Sequence, residues 1–322
     1  MPAVPVYKDL NRPDETGLPL AWGLWGPEDQ VGTLNRITPE RVVEAAQLVK
    51  RGVRFNLDLP LHVPYGLLPT GAHRRRQAPE LTLFKGEMPP HLVSRDDKMD
   101  EFYLQCSSQW DSLTHMGDAR HGFYNGVQDH QVTQREGTRN GIDQVADFGL
   151  AGRAVLVDLV RWFERKGESI DPAGQRSISV EELAACIADQ GVTLQTGDIL
   201  LLRMGWVRAF LGAKEEAARS ALFNWSFSGL SGEEDMWEFL WDQGIAAVAS
   251  DTVTVERWPV PDGRPSLHLS IARLGMTLGE MFDLEALADD SAKEGNYLAF
   301  FTSSPLNVRG GVGSPPNAIA IR

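Results

Sequence analysis

Apolar positions along the 322-residue chain change period several times, and each change predicts an element. After an irregular, Pro-rich start, Thr38 and Pro39 open a segment in which Val42, Val43, Ala45, Ala46 and Val49 share one helical face, closed by Gly52. Thr before the first turn, Pro inside it and Gly past the end are the expected punctuation of a helix. Phe55, Leu57, Leu59 and Leu61 then alternate with other residues, the period of a half-buried strand. From about residue 64 to 100 the periodicity weakens and Pro, Arg, Glu and Asp accumulate, so this stretch reads as an irregular surface arm. Long loops in compact domains usually serve function or contact a partner subunit.

The second half alternates short apolar runs with capped helical patterns. Ala154 to Val160 reads as a buried strand, Ser179 and Glu182 as a capping box opening a helix through Ile187 that Gly191 ends, and Asp198 to Met204 as another buried strand. Ser231 and Glu234 suggest a second capping box ahead of Trp237, Phe239, Leu240 and Trp241, and Ile245 to Ser250 is an apolar strand reaching Asp251. Pro265 to Gly275 is helical in pattern, and Met276 to Leu284 is strand-like. The alternation implies a layered α/β architecture. With no internal repeat, linker or break in composition, the chain is expected to form one domain over residues 1–322.

Charge narrows the function classes. Lys and Arg number 31 against 44 Asp and Glu, a net charge of −13, and the one dense basic run is Arg74 to Arg76 beside His73. Such a chain is a poor partner for nucleic acid or anionic lipid. Two cysteines, Cys106 and Cys186, without CxxC spacing fit a reducing cytoplasm. The first twenty residues hold four prolines and no apolar run, so they read as neither a signal peptide nor a membrane anchor. No GxSxG elbow is present. The Gly-rich run Asn307 to Pro316 lacks the Lys and following helix of a phosphate loop, and reads as a turn before a final strand from Ala318 to Ile321.

Histidine supplies the candidate chemistry. Of seven, three (His115, His121 and His130) fall between residues 115 and 130, behind Asp111 and around Asp118, Gly117 and Gly122. Carboxylate and imidazole on a Gly-punctuated turn can converge on zinc or manganese if a distant segment adds ligands. The same residues can equally cap turns and satisfy the core. His268 opens the later helical stretch, and Glu280 stands in an apolar run where a carboxylate must be paired, protonated or metal-bound. His62, His73, His91 and His130 read as structural or surface residues.

These residues resemble the signature of the cyclase, or kynurenine formamidase-like, family of metal-dependent hydrolases. That signature is HxGTHxDxPxH followed far downstream by a His and, twelve residues later, a Glu. Asp111 to His121 lies over the first motif, and His268 and Glu280 stand twelve apart. Trp25 to Gly32, Ala154 to Leu159, Gly197 to Trp206 and Val248 to Asp251 resemble other family segments, so the similarity runs from about Trp22 to the end.

The resemblance implies a strongly curved mixed β-sheet or small barrel with flanking helices, assembled as a homodimer or homotetramer. It further implies a cytoplasmic hydrolase of an amide, cyclic amide or lactone in a small molecule. Asp111, His115, His268 and Glu280 would hold the metal, with Glu280 also catalytic, and His121 would transfer the proton. Two positions depart from the motif, since Asp111 replaces its first His and Gly117 its Asp, so one divalent ion is expected rather than two. Trp110, Tyr124, Asn125 and Trp206 are candidate substrate contacts. The alternatives are a lactone-specific hydrolase and a binding or scaffold protein that keeps the fold without catalysis.

Overall fold

The computed structural model describes residues 4–69, 71, 76–133 and 138–322, so His73, Arg74 and Arg75 of the basic run lie outside the described residues. In chain order the strands are β1 (Arg54–Asn56), β2 (Glu80–Lys85), β3 (Arg95–Asp100), β4 (Gln109–Asp111), β5 (Leu150–Asp158), β6 (Ser177–Ile178) and β7 (Ile199–Arg203). They continue with β8 (Gly229–Leu230), β9 (Ala247–Ser250), β10 (Thr277–Glu280), β11 (Leu298–Ser303), β12 (Gly313–Ser314) and β13 (Ala318–Ile321).

Nine strands form one mixed sheet in the order β1-β13-β11-β5-β7-β9-β10-β4-β12, curled into a half-barrel flanked by helices. Its centre, β5-β7-β9-β10, is parallel, and the strands on either side run antiparallel. Parallel strands covered on both faces should be continuously apolar, as the wholly buried ILLL of β7 and AVA of β9 are.

Alternation along these strands divides the core in two. Val155, Val157, Leu200, Leu202 and Val248 face the helices Leu159–Arg165, Val180–Asp189 and Glu234–Asp242. Ala154, Leu156, Leu201 and Ala249 face Ile142–Phe148 and Glu285–Glu294.

Local signals held at two helix starts and failed at a third. Thr38 Oγ1 accepts from Arg41 N at 3.4 Å, but the helix stops at Ala46 instead of reaching Gly52, and only Ala45 of its supposed apolar face is buried. Ser179 and Glu182 form the reciprocal capping box. Ser231 does not cap its helix: its Oγ accepts from Glu233 N, and the helix begins at Glu234, two residues later than the box requires. Val160 and Leu159 leave the strand for a helix, because the Asp158 carboxylate caps Arg161 N at 3.1 Å. The region around 64–100 is less irregular than its pattern suggests. It contains the antiparallel hairpin β2-β3, whose residues are exposed on both faces and so show no burial period. Among the described residues no helix is long and apolar enough to cross a membrane.

Candidate metal centre

The cluster is assembled by one antiparallel pairing. Strand β4 runs beside β10 with Glu280 opposite Gln109 and Gly279 opposite Trp110. Since side chains alternate, Gln109 and Asp111 point to the side that carries Glu280, and Trp110 must point into the core. His115 sits in the turn after β4, its N–H donated to Ser112 O at 3.0 Å. His268 precedes the helix Leu269–Leu274, which the left-handed Gly275 ends.

One ligand atom each from Asp111, His115 and His268 lies within 4.8 Å of the others. Asp111 Oδ1 is 3.9 Å from His115 Nε2, and Asp111 Oδ2 is 3.7 Å from His268 Nε2. Glu280 joins through Oε1, 3.2 Å from His268 Nε2. The surrounding bonds fix these groups. His268 Nδ1 meets Glu256 Oε2 at 2.6 Å, while Glu256 Oε1 accepts from Ser266 Oγ at 2.6 Å. Gln105 Nε2 donates to Asp111 Oδ1 at 2.6 Å and lies 3.2 Å from His115 Nδ1. Gln109 Nε2 donates to Glu280 Oε2 at 2.5 Å.

The cluster holds more acceptors than donors. Asp111 Oδ2 and Gln109 Oε1 are buried and accept no hydrogen bond from any described residue, a costly state unless something positive meets them. Burial opposes ionisation of Asp111, yet the His115 and His268 rings hold its carboxyl below the usual aspartate value. Burial likewise opposes the charge on His268, but Glu256, Asp111 and Glu280 outweigh it and raise its pKa well above the ordinary imidazole value. Glu280 is pushed up to about 7 by burial and then by the charge of Asp111. A carboxylate oxygen and two imidazole nitrogens, with a second carboxylate beside them, fit zinc or manganese.

A cavity of about 160 Å³ opens beside the cluster, lined by His115, His268 and Glu280. Met116, Val253, Trp225 and Trp258 supply its apolar wall, and Arg76 lines it as well. Arg76, Gln105, Trp258 and Glu256 escaped the sequence reading, because nothing local marks them. Only the rule that a buried ligand His keeps a carboxylate on its other nitrogen would have prompted a search for Glu256.

Several candidates lie elsewhere. His121 Nε2 is bound to Asp14 Oδ2 at 2.5 Å, and Arg273 bridges that carboxylate to Asp118, so His121 belongs to a separate ionic cluster and does not line the cavity. Trp110 is core, its ring against Phe282 and Phe301 and its Nε1 donating to Ser303 Oγ at 2.9 Å. Trp206 is also core, stacked on Phe210 with Nε1 donating to Leu222 O. Tyr124 is buried and donates its hydroxyl to Asp29. Asn125 has φ 54 and binds Gly23 N, Gly26 O and Asp29 O, so it shapes the N-terminal loops. Hydrogen bonds within the fold engage the polar ends of all four. His62, His91 and His130 are exposed, and both cysteines are free and buried.

Gly117 explains the missing motif carboxylate. A Cβ there would stand 3.0 Å from Phe123 Cε1, so the ring fills the space, and Asp118 one residue on is held by Arg273 at 2.6 Å.

The comparisons agree with this architecture. The Cyclase family model matches residues 55–257. A crystal structure described as that of a novel cyclase superposes with a TM-score of 0.80 at 33% identity, covering 94% of this chain and 99% of that one. The chain belongs to the cyclase family. Isatin hydrolase A from Ralstonia solanacearum shares the fold at a TM-score of 0.56 and 17% identity, over 88% of this chain and 98% of that one. Isatin hydrolase A from Labrenzia aggregata, bound to benzyl benzoate, does so at 0.54 and 14%, over 87% and 97%. No curated protein matches the chain.

Proposed function

We propose that the protein is a metal-dependent hydrolase that cleaves an amide, cyclic amide or lactone bond in a small organic molecule. The observation that carries this reading is the cluster of Asp111, His115, His268 and Glu280, with Asp111 Oδ2 buried and without a hydrogen bond from any described residue, open to a small cavity. One divalent ion, zinc or manganese, suits that donor set, and the Phe123 ring in place of a second carboxylate favours one ion over two. When bound, such an ion polarises a carbonyl and brings the pKa of water from 15.7 towards about 7.

The chain's own residues divide the remaining work. Glu256 holds His268 through Nδ1 and so presents Nε2 to the cluster. Gln105 fixes Asp111 and lies against His115. Glu280, pushed up to about 7, is poised to take a proton from water and return it to the leaving group. Gln109 donates to its Oε2, and its Oε1 lies 3.2 Å from His268 Nε2 at the cluster. Met116, Trp225 and Trp258 give the cavity an apolar wall beside the reacting bond. This reading includes a cytoplasmic enzyme that works as a homodimer or homotetramer.

Elemental analysis of the purified protein beside its His115→Ala variant tests the reading. About one equivalent of zinc or manganese in the parent, lost in the variant, is expected, with chelator-sensitive hydrolysis of an aryl formamide, a cyclic imide or a lactone. A parent that binds neither ion after incubation with both would instead be a binding protein without catalysis.

A further inference from the structure

Arg76 lines the cavity beside the metal ligands, and nothing in the proposed chemistry uses it. Its Nη1 donates to Gln105 O at 3.0 Å. Gln105 is the residue whose side chain touches both Asp111 and His115, so the guanidinium is tied to the same framework as the ligand set. Among the described residues lining the cavity, Arg76 alone bears a permanent positive charge.

The surroundings make that charge consequential. Asp111, Glu256 and Glu280 crowd the cluster, and the chain as a whole carries −13. Hydrolysis adds water across the acyl bond: the acyl carbon gains oxygen, the C–N or C–O bond breaks, and the amine or alcohol leaves with a proton. The acyl side departs as a carboxylic acid, ionised at neutral pH. Among the described residues lining the cavity, only Arg76 offers that anion a permanent positive charge away from the metal ligands. An Arg fork matches a carboxylate in charge and in shape.

The remaining wall limits the rest of the molecule. Its volume of about 160 Å³ is below the roughly 300–1,000 Å³ of pockets for drug-sized ligands, and Trp225, Trp258, Met116 and Val253 present apolar surface. Resting on the hydrolase reading, we infer that Arg76 determines specificity by binding the carboxylate of a compact, otherwise apolar ligand, carried by the substrate or formed by its hydrolysis.

Benzoate, benzamide and benzylamine test this without knowledge of the substrate, using calorimetric titration of zinc-loaded and chelator-treated protein. Benzoate is expected to bind at least about tenfold more tightly than benzamide, and benzylamine not measurably. Arg76→Gln should weaken benzoate by about tenfold, or 1.4 kcal/mol, leave benzamide within about twofold and retain the parent's metal content. Arg76→Lys should recover part of the benzoate affinity. The benzoate loss should persist in the chelator-treated pair, where no ion can hold the anion. Unchanged benzoate affinity in Arg76→Gln would place the anion on the metal alone and overturn the assignment. Equal loss of benzoate and benzamide, or loss of bound metal that Arg76→Lys does not restore, would make Arg76 a structural residue and overturn it too. Carboxylate selectivity in a protein that hydrolyses no amide or lactone would sink the hydrolase reading and leave the Arg76 site standing.

Discussion

Residues 111 to 121 feed two clusters with the same ingredients and opposite character. In one, Asp111 and His115 meet His268 and Glu280. In the other, Asp118 and His121 meet Asp14 around Arg273, which donates to Asp118 Oδ2 at 2.6 Å, to Asp14 Oδ2 at 2.7 Å and to Leu18 O at 2.6 Å. The second cluster encloses its own cation and pins the N-terminal segment to the helix Leu269–Leu274. The first has no Arg among its ligands and leaves Asp111 Oδ2 without a hydrogen bond. Carboxylate and histidine therefore do not by themselves mark a reactive site. What distinguishes the two is whether a fixed positive charge already satisfies the acids.

Substitutions should separate the clusters cleanly. The largest effect is expected from His115→Ala, which should drop bound metal from about one equivalent to none and reduce turnover beyond detection, while the metal-free variant melts close to the metal-free parent. Elemental analysis and calorimetry check both halves. Glu280→Gln should lower kcat by about 10²- to 10⁴-fold and flatten the limb of the pH profile that its carboxyl sets. Arg273→Met should leave Asp14 and Asp118 buried without their cation, costing about 3–5 kcal/mol in denaturant unfolding with metal content unchanged. A loss of metal in Arg273→Met would show that the two clusters are coupled.

Acid should distinguish them as well. Bonds from Thr16 and Arg273 hold Asp14 far below the ordinary carboxylate range, and Asp118, despite opposing burial, is lowered by Arg120 N–H and by Arg273. Their contribution to stability is present above the unfolded pKa of about 3.9 and disappears as pH falls through the depressed folded values, so unfolding midpoints should decline only below about pH 4. His268 works in the other sense. Its raised pKa leaves it protonated in the metal-free protein, and an ion must displace that proton. Zinc affinity should rise at least about tenfold per pH unit until the raised pKa is passed. The smallest effect belongs to His121→Asn, which should cost about 1.5 kcal/mol and change kcat less than about twofold. A thousandfold loss of kcat there would return His121 to the reaction.

Much of this was legible along the chain. The twelve-residue step from His268 to Glu280, the Asp111 and His115 pair, the Thr38 and Ser179 caps and the apolar runs of β5, β7 and β9 are local patterns, and their physics acts over a few residues. The resemblance they carry identified the family, the α/β class and the curved sheet. The arm was the weakest reading, because a hairpin exposed on both faces has no hydrophobic period to betray it.

Tertiary structure decided how those residues were used. Trp110 looked like a substrate contact until the β4-β10 register turned Gln109 and Asp111 to one side of the sheet and Trp110 to the other. His115 and His121 are six residues apart, yet one reaches His268 and the other reaches Asp14, a separation no spacing rule contains. Glu256 and Arg76 enter the site from segments that carry no motif. The chain by itself determined which chemistry was present. Long-range pairing determined which acids received a built-in cation and which were left to bind one, since that choice depends on the charges that meet across the fold.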